Sequence, residues 1–106
     1  MELWEILVPV SNNHGRKYDI VYHQEWDNKV REITHGLTIL RSAKGSWLDP
    51  EGVFQEERMI PVRFAGNEAQ AKQVMQLTLV HYRQRAVMCY KISTECFIYS
   101  EEDFEI

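Results

Sequence analysis

A chain of 106 residues is long enough for one compact domain with a single core and too short for two. With 44% hydrophobic and 26% charged residues and no low-complexity tract, its composition excludes a disordered or fibrous protein. The net charge of -4 arises at the end of the chain, where Glu101, Glu102, Asp103 and Glu105 cluster; the other twelve acids balance the 12 Lys and Arg, leaving none of the clustered cations that a nucleic-acid backbone requires.

From Leu3 to Val10, Trp4, Ile6, Val8 and Val10 alternate with Leu3, Glu5, Leu7 and Pro9, the period-two pattern of a first strand. Met1 and Glu2 lead directly into it, with no basic start, no signal-type apolar run and no bilayer-length stretch, so a cytoplasmic, non-membrane protein is expected. Ser11 to Lys17, with two Asn and Gly15, reads as a mobile, solvent-open loop. Asp19 is a plausible N-cap for a helix whose apolar face carries Tyr22, Trp26, Val30 and Ile33, and Gly36 stands where a helix C-cap is expected.

Leu37 to Ser42 reads as the second strand, and Lys44 to Gly52 as a turn-rich connection over which Trp47 folds back as a lid. Phe54 to Phe64 is the third strand, with Pro61 at an edge or bulge because it cannot donate to a ladder. Asn67 and Gln70 form a capping-box pattern ahead of a second helix that runs to about Arg85, with Ala71, Val74, Met75, Thr78 and Tyr82 on one face. Ala86 to Ser93 and, after a break, Cys96 to Tyr99 give a last strand or strand pair, along which Cys89 and Cys96 lie too far apart to bond.

The order β-α-β-β-α-β predicts an α+β, two-layer ferredoxin-like sandwich: an antiparallel sheet with both helices on one face. Residues 1–100 form one such domain, and 101–106 an acidic C-terminal tail. The sheet's other face would carry Leu3, Leu7, Met59 and Pro61, with Ile39 or Leu40, which is too apolar for water. A homodimer formed through the open sheet face is therefore the expected partner arrangement, as in dimeric α+β barrel proteins, where facing sheets enclose a pocket.

Glu56 and Arg58 share parity with Ile60, Val62 and Phe64, so both charges point toward the core side of the sheet. Either they pair with each other or with helix residues, or they form a polar site in which Arg58 binds a small anionic ligand and Glu56 accepts a proton. His81, near the end of the second helix, either caps it or reaches the same sheet end as Tyr90 as a proton donor. Trp47, Glu56, Arg58, His81 and Tyr90 are thus the candidate ligand-binding residues, with Glu56 and His81 the candidate acid-base groups. His23 and Asp27, four apart on the first helix, share a face, but no ligand set for a metal completes around them, and no cofactor motif is present.

Gly36-Leu37-Thr38, Gly45-Ser46-Trp47, Gly52, Glu56-Glu57 and a helix ending near Tyr82 before the Val87 strand form a pattern spanning Trp26 to about Val87. It resembles a family of small bacterial ferredoxin-like proteins of unknown function, with Gly-Leu-Thr, Gly-x-Trp, Gly and Glu followed by a helix ending in Tyr. The chain departs from it in lacking the export signal some members carry and in a shorter Tyr82 to Val87 segment. The resemblance implies the fold and no activity. The functions open are a non-catalytic, homo-oligomeric small-molecule-binding domain, a cofactor-independent acid-base enzyme of isomerase or lyase type, and a protein-interaction module, for which a mobile-element origin is open.

Overall fold

The computed structural model describes residues 1–104; Glu105 and Ile106, the end of the expected tail, lie outside the described residues. Strand β1 (Glu2–Pro9) is followed by α1 (Ile20–Thr34), β2 (Thr38–Ile39), β3 (Ala43–Leu48), β4 (Phe54–Gly66), α2 (Glu68–His81) and β5 (Cys89–Ser93). The sheet runs β2-β4-β1-β5, with β3 also on β4, and every pairing is antiparallel. Both helices pack on one face, giving the two-layer ferredoxin-like α+β fold expected from the element order.

β1 and β4 pair over eight positions, from Glu2↔Gly66 to Pro9↔Met59. That register puts Trp4, Ile6 and Val8 beside Phe64, Val62 and Ile60 under the helices, where they meet Trp26 and Val30 of α1 and Ala71 and Val74 of α2. The predicted faces of β1, α1 and α2 are the buried ones. The capping box forms in both directions: Asn67 Oδ1 accepts from the Gln70 amide, and Gln70 Oε1 from the Asn67 amide, each at 2.8 Å. Between the helices, the Trp26 indole N–H donates to Thr78 Oγ1 at 3.0 Å, and Thr78 donates onward to the Val74 carbonyl at 2.6 Å.

Several expectations are corrected. Lys44 to Leu48 belongs to a strand, because pairing with β4 from Ala43↔Met59 to Leu48↔Phe54 outweighs the turn propensity of Gly45 and Ser46. The true turn is Asp49 to Val53, where Asp49 Oδ1 accepts from the Glu51 and Val53 amides and Gly52 supplies φ 82°. Trp47 is therefore a strand residue opposite Gln55 and no lid. The left-handed cap of α1 is His35 (φ 67°), one residue before Gly36, closing on the Arg31 carbonyl. Helix α2 ends at His81 rather than Arg85, and β5 starts at Cys89 rather than Ala86.

Cys96 to Tyr99 forms no strand: Phe97, Ile98 and Tyr99 are exposed and pair with no strand among the described residues. The loop after β1 is ordered, with a Ser11↔Lys17 bridge and Asn12 Oδ1 accepting from the His14 and Arg16 amides at 2.9 and 3.0 Å. Glu101–Phe104 makes one 3-10 turn, capped by Asp103 accepting from the Ser100 amide. Both cysteines carry free thiols.

Thr78→Val keeps the volume of the side chain but orphans the buried Trp26 N–H, which should cost about 1–3 kcal/mol. Urea unfolding should show the midpoint falling with an unchanged slope; an unchanged midpoint would contradict this role.

Candidate functional site

Strand β4 has 13 residues and β1 has 8, so the first residues of β4 run past the end of β1 with only β3 beside them. The β3–β4 hairpin therefore projects as an arm, and the molecule measures 58 × 29 × 24 Å. At the arm's base the chain leaves the sheet: the Val10 amide donates to the Arg58 carbonyl at 3.2 Å, and the Asn-rich loop turns away. Among the described residues no strand pairs with the β1-side edge of 54–57. Between that edge and the loop lies a cleft of about 410 Å³, lined by Trp47, Glu56, Glu57 and Arg58 from the arm, by Asn12 and Asn13 with their loop neighbours, and by Gln84 beyond α2.

Three of the five sequence-predicted site residues, Trp47, Glu56 and Arg58, thus line one cleft, Trp47 from the face of the arm it shares with Gln55, and Glu56 and Arg58 from the other. The strand parity of Glu56 and Arg58 is as expected, yet both are exposed, because the helices cover β4 only from about Ile60 onward. Nor do they pair with each other. Glu56 bonds Lys44, diagonally across on β3, at 3.0 Å, an exposed contact that contributes little to stability. Arg58 takes part in none of the ion pairs among the described residues. Trp47 is 48% exposed, whereas Trp4 and Trp26 are buried.

His81 and Tyr90 lie elsewhere, on opposite sides of the sheet. His81 is buried between the helices, its Nε2 2.8 Å from the Tyr22 carbonyl, while the Tyr22 hydroxyl donates to the His81 carbonyl. It neither caps α2 through its side chain nor approaches Glu56. Tyr90, on β5, donates its hydroxyl to Glu5 Oε2 on the open face, and Arg63 Nε donates to Glu5 Oε1 at 3.0 Å. This Arg63–Glu5–Tyr90 bridge crosses three strands amid apolar rows, and Glu5 is 7% exposed.

His23 holds a different partner from the one its spacing suggested. Its Nδ1 lies 2.7 Å from the Tyr82 hydroxyl, and Asp27 acts on it only through charge. Burial pushes the His23 imidazole below its ordinary 6.5, against the pull of Asp27, and pushes the Tyr82 phenol and the Asp27 carboxyl upward. The neutral form of His23 is therefore the one favoured beside the Tyr82 hydroxyl. Burial also pushes the Cys89 thiol up to about 11, away from thiolate chemistry. Among the described residues no three His, Cys, Asp or Glu side chains converge to hold a metal ion, and no helix is long and apolar enough to cross a membrane.

The loop residues Ser11, Asn12, Asn13 and Gly15, together with Gln55, Glu57 and Gln84, are cleft residues that the sequence did not single out. The two adjacent Asn before a Gly were the available signal, since Asn side chains organise turns while leaving donors free.

No protein-family model and no curated protein matches the sequence. Solved structures do match. A mutant of CutA1 from Pyrococcus horikoshii superposes with TM-score 0.64 at 10% identity, over 99% of this chain and 92% of that one. The periplasmic divalent cation tolerance protein CutA from Archaeoglobus fulgidus gives TM-score 0.66 at 10% identity, over 92% and 86%. A phage SAM lyase in complex with S-methyl-5'-thioadenosine gives TM-score 0.63 at 12% identity, over 91% and 92%. At these identities the likeness defines a CutA-like, ferredoxin-like fold, which is also the part of the sequence resemblance that the structure bears out.

Between its folded and unfolded values His23 binds more protons in the unfolded chain, so stability falls as pH drops below 6.5. Urea midpoints at pH 7.5 and 5 should therefore differ less in His23→Asn, whose amide can hydrogen-bond Tyr82, than in the wild type; equal differences would contradict the assignment.

Proposed function

We propose that the chain is a self-associating small-molecule-binding domain whose ligand seat is the cleft at the base of the hairpin arm. The observation that carries this is that an unpaired Arg58, the exposed Trp47 and the Asn12–Asn13 loop line one cleft against an unpaired strand edge. A guanidinium without a carboxylate partner favours an anionic group, the indole offers a flat apolar wall, and amides with free backbone groups can orient a polar body. Glu56 is neutralised by Lys44, so Glu57 remains as a possible partner for a ligand's ammonium. Of the two candidate acid-base groups, Glu56 lines this cleft, whereas His81 is bound between the helices.

Self-association is supported by the open face. Leu3, Leu7, Leu40, Met59 and Pro61 are only half-buried there, and Met88 beside them is 61% exposed. A dimer is the smallest assembly that covers this face. Light scattering should give a multiple of 12.6 kDa, and Leu7→Asp should reduce it to the monomer mass. A wild-type monomer at micromolar concentration would overturn this half of the proposal.

The phage neighbour suggests a probe pair of uncharged-sulfur thioethers. S-adenosylhomocysteine carries an amino-acid end that S-methyl-5'-thioadenosine lacks. Because Trp47 is the exposed one of the chain's three Trp, quenching of indole fluorescence reports the cleft. The carboxylate-bearing probe should bind roughly tenfold tighter, and Arg58→Ala should abolish that difference. Quenching that persists in Trp47→Ala, or equal affinities of both probes for wild type and Arg58→Ala, would reject the assigned roles.

A further inference from the structure

On the other side of the Asn12–Asn13 loop lies a second cleft, of about 390 Å³, between that loop and the ends of the two helices. Tyr18, Tyr22 and Tyr82 form its apolar wall. The first two rings stack at 5.2 Å with planes 8° apart, and Tyr82 meets both nearly edge-on. All three hydroxyls are engaged within the protein: Tyr18 donates to the Tyr82 carbonyl and Tyr22 to the His81 carbonyl, and Tyr82 shares a hydrogen bond with His23 Nδ1. Tyr82 is buried behind the other two, so what the half-buried Tyr18 and Tyr22 present to the cleft is ring surface.

The rim supplies donors. Asn12 Oδ1 is occupied by two backbone amides, which leaves its Nδ2 free, and Arg83 has none of the ion pairs among the described residues. No Asp or Glu among the described residues lines the cleft. Arg83 also occupies the left-handed position (φ 52°) just past the end of α2, where its amide closes on Val80 and the next, of Gln84, on Leu79. Glycine is the residue that such a helix end favours, and an Arg there is held at a conformational cost. Backbone strain of this kind collects where a side chain is needed for function.

The geometry points to a second binding site, in which the tyrosine wall takes a flat aromatic ring and Arg83, with Asn12, takes one carboxylate attached to it. This goes beyond the first cleft and does not depend on it, because the two share only the Asn12–Asn13 wall. Donors without a facing acid select an anion, and ring surface without free hydroxyls selects a π face over a sugar or an aliphatic chain.

Benzoate is the direct probe, titrated into the full chain while amide and side-chain NMR shifts are followed. Saturable shifts are expected at Asn12, Tyr18 and Arg83. Cyclohexanecarboxylate, which keeps the charge without the ring, and benzyl alcohol, which keeps the ring without the charge, should each bind about tenfold more weakly. Arg83→Gly should raise Tm by roughly 5 °C by relieving the left-handed strain while weakening benzoate about tenfold. Arg58→Ala should leave benzoate affinity unchanged. The proposal is overturned if benzoate moves none of these resonances, if Arg83→Gly binds it as tightly as wild type, or if the loss appears in Arg58→Ala instead.

Discussion

The structure depends on the register between β1 and β4. Setting Trp4, Ile6 and Val8 opposite Phe64, Val62 and Ile60 puts three apolar pairs on one side of the sheet, and both helices close over them. A shift of one residue would turn Glu5 and Arg63 into that core and Ile6 and Val62 out of it. The same register fixes where β1 stops relative to β4. Because Pro9 is the last paired residue and stands opposite Met59, residues 54–58 have no cover from β1 or from the helices. The arm, the free strand edge and the cleft all follow from that difference in strand length.

Polar groups divide along the same lines. Where side chains are withdrawn from water they have partners: Trp26 with Thr78, His81 with the Tyr22 carbonyl, Glu5 with both Arg63 and Tyr90. These networks hold the helices and the open face in place, and removing one member leaves a costly orphan. Arg58 and Arg83 are the contrasting cases, each beside an aromatic wall and without an ion-pair partner among the described residues. A cation left without an acid beside a concave surface is available to a ligand, and both clefts have this property.

Much of this was legible in the residues. Period-two alternation marked β1, spacings of three and four marked α1, and Asn67 with Gln70 marked the start of α2, because each is a local pattern with a local cause. The element order was enough to give the ferredoxin-like fold. Misreadings fell where a distant partner overrode local chemistry. Gly45 and Ser46 look like turn residues but lie in a strand because β4 continues beside them, and Phe97 to Tyr99 looks like a strand but pairs with no other strand among the described residues.

The site was legible in part for the same reason. Strand parity correctly placed Glu56 and Arg58 on one face, but parity does not say how far the helices extend, so charges expected near the core lie on an exposed arm. Nothing local could place His81 and Tyr90 on opposite sides of the sheet, or bring Asn12 and Asn13 to the arm, since both outcomes depend on contacts made far along the chain.

The central claim is that the unpaired edge of β4 and the loop facing it form the ligand seat. Amide hydrogen exchange with and without S-adenosylhomocysteine tests it most directly. Slowing confined to residues 11–15 and 55–58 is the predicted result. Slowing at Glu5, Arg63 and Tyr90, or between the helices, with the arm's base unchanged, would contradict it.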